Sequence, residues 1–140
     1  MRDMTELGFL PAKGFGTLVV DLDGTRVPLP DEYVSFQSFR PPASLELGFA
    51  FINAEGEQWE GQVVEFMKYK QETINQRVVR PSKYDLPLLP IAVDAGGNYL
   101  FLVLCRNPMP VVELNYSSGL LSTVANSFGE FLDRLYQVES

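Results

Sequence analysis

Short apolar runs recur along the chain between clusters of Gly, Pro, Asn and Asp, the punctuation expected of a protein built mainly from short strands. The densest stretch is 89–104, where two apolar runs meet through Gly96-Gly97. Glycine tolerates the positive φ of tight turns, so this stretch predicts a buried hairpin. Residues 99–104 have almost no polar alternation, which places that strand centrally, covered on both faces. Residues 17–22 alternate as a strand, Asp23-Gly24 is a two-residue turn signal, and 25–27 return. That register sets Leu22 opposite Thr25, Asp21 opposite Arg26 and Val20 opposite Val27, making Asp21 a salt-bridge partner.

Residues 30–39 predict a short helix: Pro30 suits the first turn, Asp31 and Glu32 favour its positive end, and Tyr33 with Phe36 supplies a core-facing pair. Pro41-Pro42 stops it. Residues 45–53 read as a strand, with Gly56 in the following turn. Trp59, Val63, Phe66, Met67 and Ile74 fit a helical stripe, but Gly61 would weaken a helix and Val63-Val64 favours a strand. The preferred reading is therefore a strand over 63–67 and a helix over 69–76. A proline-containing connection spans 80–90, and 111–115 predicts a short strand near a sheet edge after Pro108 and Pro110. At the end of the chain, Ser127 and Glu130 have capping-box spacing, and Phe128, Phe131, Leu132, Leu135 and Tyr136 form one helical face for docking on the sheet.

Composition narrows the function classes. With no repeat, low-complexity tract or long linker, residues 1–140 read as a single domain. No apolar run approaches membrane-spanning length, and the early acid at the start lacks the long apolar core of a secretory signal, so a cytoplasmic protein without membrane association is expected. The net charge of −7, from 18 acidic and 11 basic residues, argues against direct nucleic-acid binding; it would steer in a basic protein, and solubility alone also explains it. The absence of histidine removes Ser-His-Asp and Cys-His catalysis and histidine-containing zinc sites. Cys105 is the one cysteine, which excludes an internal disulfide and thiolate clusters; it reads as a small buried hydrophobe. No metal or other cofactor is expected.

Residues 18–25, LVVDLDGT, resemble the first motif of haloacid-dehalogenase-type phosphatases. The resemblance implies a nucleophile at Asp21, a general acid/base at Asp23 and magnesium-dependent phosphohydrolase chemistry. The remainder of that pattern is absent: no Asp-Asp pair and no Gly-Asp-x-x-x-Asp segment follows. The hairpin explains the same residues more simply.

Three ordered segments resemble the SUKH superfamily, which joins fungal Smi/Knr-type cell-wall regulators with bacterial immunity proteins. Residues 29–36, LPDEYVSF, are similar to its Leu-Pro-x-x-Tyr-x-x-Phe helix start. Residues 89–98, LPIAVDAGGN, are similar to its apolar strand, Asp and Gly-Gly-Asn turn, while 125–132 resemble its Ser-Phe-x-x-Phe-Leu closing helix. Arg40-Pro41-Pro42 replaces a common Asn-Gly-Gly turn, and the early hairpin replaces a leading helix, marking a divergent member. The resemblance implies an α+β fold, with helices on a mixed, mainly antiparallel sheet. It also implies protein binding without catalysis, with a secreted toxin domain, commonly a nuclease, as the partner of bacterial members. A scaffold or regulator of the same fold is the alternative.

The partner-binding candidates are Glu55, Glu57, Trp59 and Glu60, an aromatic anchor among acids, together with Asp94. Core packing of Trp59 within a solvated acidic rim explains the same cluster structurally. Asp94 also has a structural reading, because a side chain preceding a glycine turn accepts backbone hydrogen bonds, and Asn98 tolerates left-handed geometry.

Overall fold

The structure is a computed structural model that describes residues 2–12 and 16–138. Its described strands are β1 (Leu10–Pro11), β2 (Val19–Leu22), β3 (Thr25–Pro28), β4 (Phe39–Arg40), β5 (Leu47–Ile52), β6 (Gln58–Phe66), β7 (Leu88–Asp94), β8 (Tyr99–Val103), β9 (Val111–Leu114), β10 (Leu121–Ala125) and β11 (Tyr136–Gln137). Two helices, α1 (Asp31–Phe36) and α2 (Phe128–Arg134), complete the α-helical content described. The main sheet has seven strands in the order β10-β9-β8-β7-β6-β5-β11, while β1 pairs with β4 and β2 pairs with β3.

All described pairings are antiparallel, so no parallel pair makes the sheet mixed. Consecutive strands from β5 to β10 are spatial neighbours, and the short β5–β6, β7–β8, β8–β9 and β9–β10 connections return the chain in the opposite direction, while the long 67–87 connection also joins an antiparallel pair. Register shifts at Val63/Glu65, Pro90/Ala92 and Thr123/Ala125 add local bends to the ordinary strand twist. The sheet curls into a half-barrel, with β10 brought against β5.

The concave face carries the principal core. Leu47, Phe49 and Phe51 recur at period two on β5, and α1 and α2 add Tyr33, Phe36, Phe128, Phe131 and Leu132. Phe36 joins three parts of the chain, with ring centroids 5.6 Å from Phe9, 4.8 Å from Phe66 and 5.2 Å from Phe128. A smaller cluster of Leu88, Phe101, Val103 and Val112 occupies the opposite face, with Leu86 packed against it. Tyr84 secures this side: its hydroxyl donates to the Gly119 carbonyl at 2.5 Å and accepts from the Leu121 amide at 3.0 Å. Strand β8 therefore sends Leu100 and Leu102 to one core and Phe101 and Val103 to the other, as its unbroken apolar pattern predicts.

Gly61 stands opposite Phe49, and a Cβ at Gly61 would overlap the Phe49 ring. Phe49 is fully buried, so its ring cannot swing into water. Gly61→Ala is expected to destabilise the fold by about 1–3 kcal/mol through overpacking, measured by urea unfolding.

The predicted β2–β3 register holds at every position, but Asp21 and Arg26 form no salt bridge. Asp21 turns its carboxylate back to accept from the Gly24 amide at 2.8 Å, closing the turn locally. The predicted helix over 30–39 is shorter, and Pro30 precedes its first residue as the N-cap. Gln37 redirects the chain: its buried side chain donates to the Met67 carbonyl and accepts from the Tyr69 amide. The strand predicted at 63–67 begins instead at Gln58, and the helix over 69–76 is replaced by turns and a 3-10 segment, Ile74–Arg77. Tertiary contacts select these turns. Tyr69 donates its hydroxyl to the Pro90 carbonyl, while Gln71 and Asn75 bind the backbone of β2.

Strand β9 is internal, because β10 covers the side predicted to be an edge. Ser127 caps α2 by accepting from the Glu130 amide at 3.1 Å, and Glu130 reaches back to the Asn126 amide at 3.3 Å. Leu135 is buried just beyond that helix, whereas Tyr136 enters β11, with its ring across Gly48 and partly exposed. Cys105 is exposed because β8 ends at Val103 and the following turn carries the thiol away from the core.

Candidate functional site

The β5–β6, β7–β8 and β9–β10 connections lie at one end of the half-barrel. Each is organised by an Asn or Asp that accepts two backbone amides. Asn53 accepts from Glu55 at 3.0 Å and Glu57 at 2.9 Å, and Asp94 accepts from Gly96 and Asn98, both at 2.9 Å. Asn115 accepts from Ser117 at 3.0 Å and Ser118 at 3.1 Å. These bonds satisfy donors that a bare turn leaves open.

The tips are also tied together. Asn98 accepts from the Tyr116 amide at 3.1 Å, and Ser122 Oγ accepts from the Ala54 amide at 2.9 Å. Gly97, at φ 83°, takes the left-handed position; Asn98 has no positive φ, in contrast to the sequence expectation. Asn98 makes the bridge to the neighbouring turn instead.

Between the β5–β6 and β9–β10 tips lies a cavity of about 110 Å³, with Asn53, Glu55, Glu57, Trp59, Glu113 and Ser122 among its lining residues. Register explains how they meet. Trp59 is opposite Phe51 and shares its concave face, while Glu113 lies between Leu100 and Ser122 on the same face. Trp59 is 42% exposed, whereas Glu113 is only 2% exposed. Its Oε2 is buried without a hydrogen-bond partner among the described residues.

Asp94 lies behind this cavity, buried and engaged with the turn amides. Burial, followed by hydrogen bonding with Asp94 and its like charge, pushes the Glu113 carboxyl from an ordinary 4.5 up to about 7. The two acids form a linked pair in a sheltered setting. The arrangement can hold a proton near neutrality or meet an external cation, but the described residues contain no group of three or more His, Cys, Asp or Glu able to hold a metal.

Glu55, Glu57 and Trp59 thus converge at one opening, and Asp94 reaches it through Glu113. Glu60 does not converge with them: it pairs opposite Ala50, on the other face of β6. Glu113 and Ser122 are absent from the candidates read in the sequence. A single acid inside the apolar 111–114 run was a visible signal for Glu113, because an acid facing a core demands a physical explanation.

The phosphatase-like residues lie elsewhere. Asp21 closes the β2–β3 turn, and the 86% exposed Asp23 side chain pairs with Arg80 at 3.0 Å. Positive φ at Asp23 (53°) and Gly24 (91°) gives the turn its local geometry. A larger cavity, about 670 Å³, lies between this hairpin, the loop after β8 and the start of α2. Leu22, Val27, Leu104 and Met109 give it apolar walls, and Cys105 borders it; none of the partner-binding candidates lines it.

No described helix is long and apolar enough to cross a membrane. The chain matches no protein-family model, and neither curated proteins nor solved structures provide a match.

Proposed function

We propose that this protein is a non-enzymatic, cytoplasmic protein-binding module of SUKH type that masks a basic toxin domain, such as a nuclease, in the manner of an immunity protein. The carrying observation is the convergence of Glu55, Glu57 and Trp59 above buried Glu113 at one open end of the half-barrel. An accessible aromatic beside carboxylates offers an apolar anchor within a field favourable to a basic surface. The ordered SUKH-like motifs and the net charge of −7 support the same reading. This function calls on no cofactor.

Co-expression with a basic toxin domain encoded beside the gene provides the test. Toxin and protein are expected to co-purify, and cell survival is expected to be restored. Trp59→Ala is expected to weaken the complex by roughly 2 kcal/mol or more, read by calorimetry, with the circular dichroism spectrum retained. A complex without protection assigns a scaffold or regulatory role. The absence of both a complex and protection removes the toxin-binding proposal.

A further inference from the structure

We propose that the cavity between the β5–β6 and β9–β10 hairpin tips is a receptor for a single guanidinium group, with Glu113 as its inner anion and Trp59 as its aromatic wall. In the protein-binding role proposed above, that group is an arginine side chain of the partner. The chemistry of the pocket nevertheless defines a guanidinium site without requiring a toxin partner.

Glu113 distinguishes this cavity from an acidic surface patch. It is almost wholly buried, lines the cavity and has an unpartnered Oε2 among the described residues. Once ionised, this carboxylate is a buried acceptor that no donor of the described residues serves, a costly arrangement that an entering N–H group would relieve. Glu55 and Glu57 add carboxylates at the opening, Asp94 lies behind Glu113, and no Lys or Arg lines the cavity among the described residues.

The other polar groups fit an incoming donor. The side-chain oxygens of Asn53 and Asn115 already accept turn amides, leaving the carboxylates as the available charged acceptors. At about 110 Å³, the space suits one small polar group, well below the usual size of a drug-like ligand pocket. Guanidinium matches these conditions through its planar N–H donors, weaker hydration than ammonium and ability to stack on an aromatic face. The absence of a metal-competent cluster of at least three His, Cys, Asp or Glu among the described residues favours an organic cation.

Trp59 is the chain's sole tryptophan, so its emission reports directly on the cavity. The full chain, at about pH 8 where Glu113 is mainly ionised, is titrated with methylguanidinium, a Gly-Arg-Gly amide and the corresponding lysine peptide. Sodium chloride at matched ionic strength supplies the screening control. Saturable changes in Trp59 emission and the Glu113 and Ser122 amide resonances are expected with both guanidinium ligands. The lysine peptide should bind more weakly, and Glu113→Gln should weaken guanidinium binding roughly tenfold.

Glu57→Gln provides a second, exposed substitution with an expected weakening of a fewfold. A salt response equal to the guanidinium response, equal lysine affinity, or unchanged binding in both variants overturns the assignment. Tighter binding of the arginine peptide than of methylguanidinium assigns a protein side chain as the source; the reverse assigns a free guanidinium compound. Guanidinium binding without toxin protection preserves the pocket and removes the toxin-binding function. Protection without a guanidinium response does the opposite.

Discussion

Phe36→Ala is expected to cost about 3–5 kcal/mol, a large part of the stability of an ordinary domain. The effect follows from its position at the meeting of Phe9, Phe66 and Phe128. These partners belong to the segment before β1, the end of β6 and α2 respectively. Alanine removes aromatic contacts with all three and leaves a cavity that separate elements must collapse together to fill. The expected result is a lower urea midpoint with little change in slope. Phe36→Leu should recover more than half of the lost stability, because it restores most of the buried apolar volume. Equal stability of Phe36→Ala and the native protein would overturn the central role assigned to this ring.

Glu113→Gln is expected to reverse the usual consequence of losing a buried polar residue above neutral pH by making the fold more stable. Unfolded Glu113 titrates near 4.5, whereas burial and Asp94 hold the folded carboxyl up to about 7. Between those values the unfolded chain releases its proton before the folded chain does. Native stability contributed by the protonated carboxyl is present below the unfolded value and is lost as pH rises through the folded value.

At about pH 8, the native protein must carry an ionised Glu113 beside Asp94, while the glutamine side chain of the variant is neutral at every pH. The resulting advantage of Glu113→Gln is on the order of 3 kcal/mol and should shrink toward zero below about pH 4.5. Urea unfolding across this interval measures the difference directly. A pH-independent difference would rule out the proposed linkage. The same substitution weakens the proposed guanidinium interaction, separating fold stability from ligand recognition.

Local chemistry made several features readable along the chain. Asp23-Gly24 dictated the β2–β3 register because the turn accepts positive φ at both central residues. Ser127 and Glu130 identified the start of α2 because each side chain reaches an open backbone amide. The helix expected over 69–76 had no comparable local restraint. Its Tyr69, Gln71 and Asn75 side chains instead make contacts to β7 and β2, and those partners are distant in sequence.

The candidate site was legible only in part for the same reason. Glu55, Glu57 and Trp59 were neighbours in sequence, whereas Glu113 joins them through sheet curvature and strand register. Glu60 is adjacent to Trp59 in sequence but faces away because successive strand residues alternate sides. Strand β10 was missed although the 115–119 turn cluster precedes its alternating segment. Its recognition would have placed β9 in the interior of the sheet and brought Ser122 opposite Glu113.

The three turns closed by Asn53, Asp94 and Asn115 give the protein a modular route to divergence. Because each aspartate-like side chain binds the amides of its own tip, the intervening residues can change identity while the strand ends keep their local scaffold. Recognition can then diversify one tip at a time, with descendants sharing a barrel while differing in the molecules they meet.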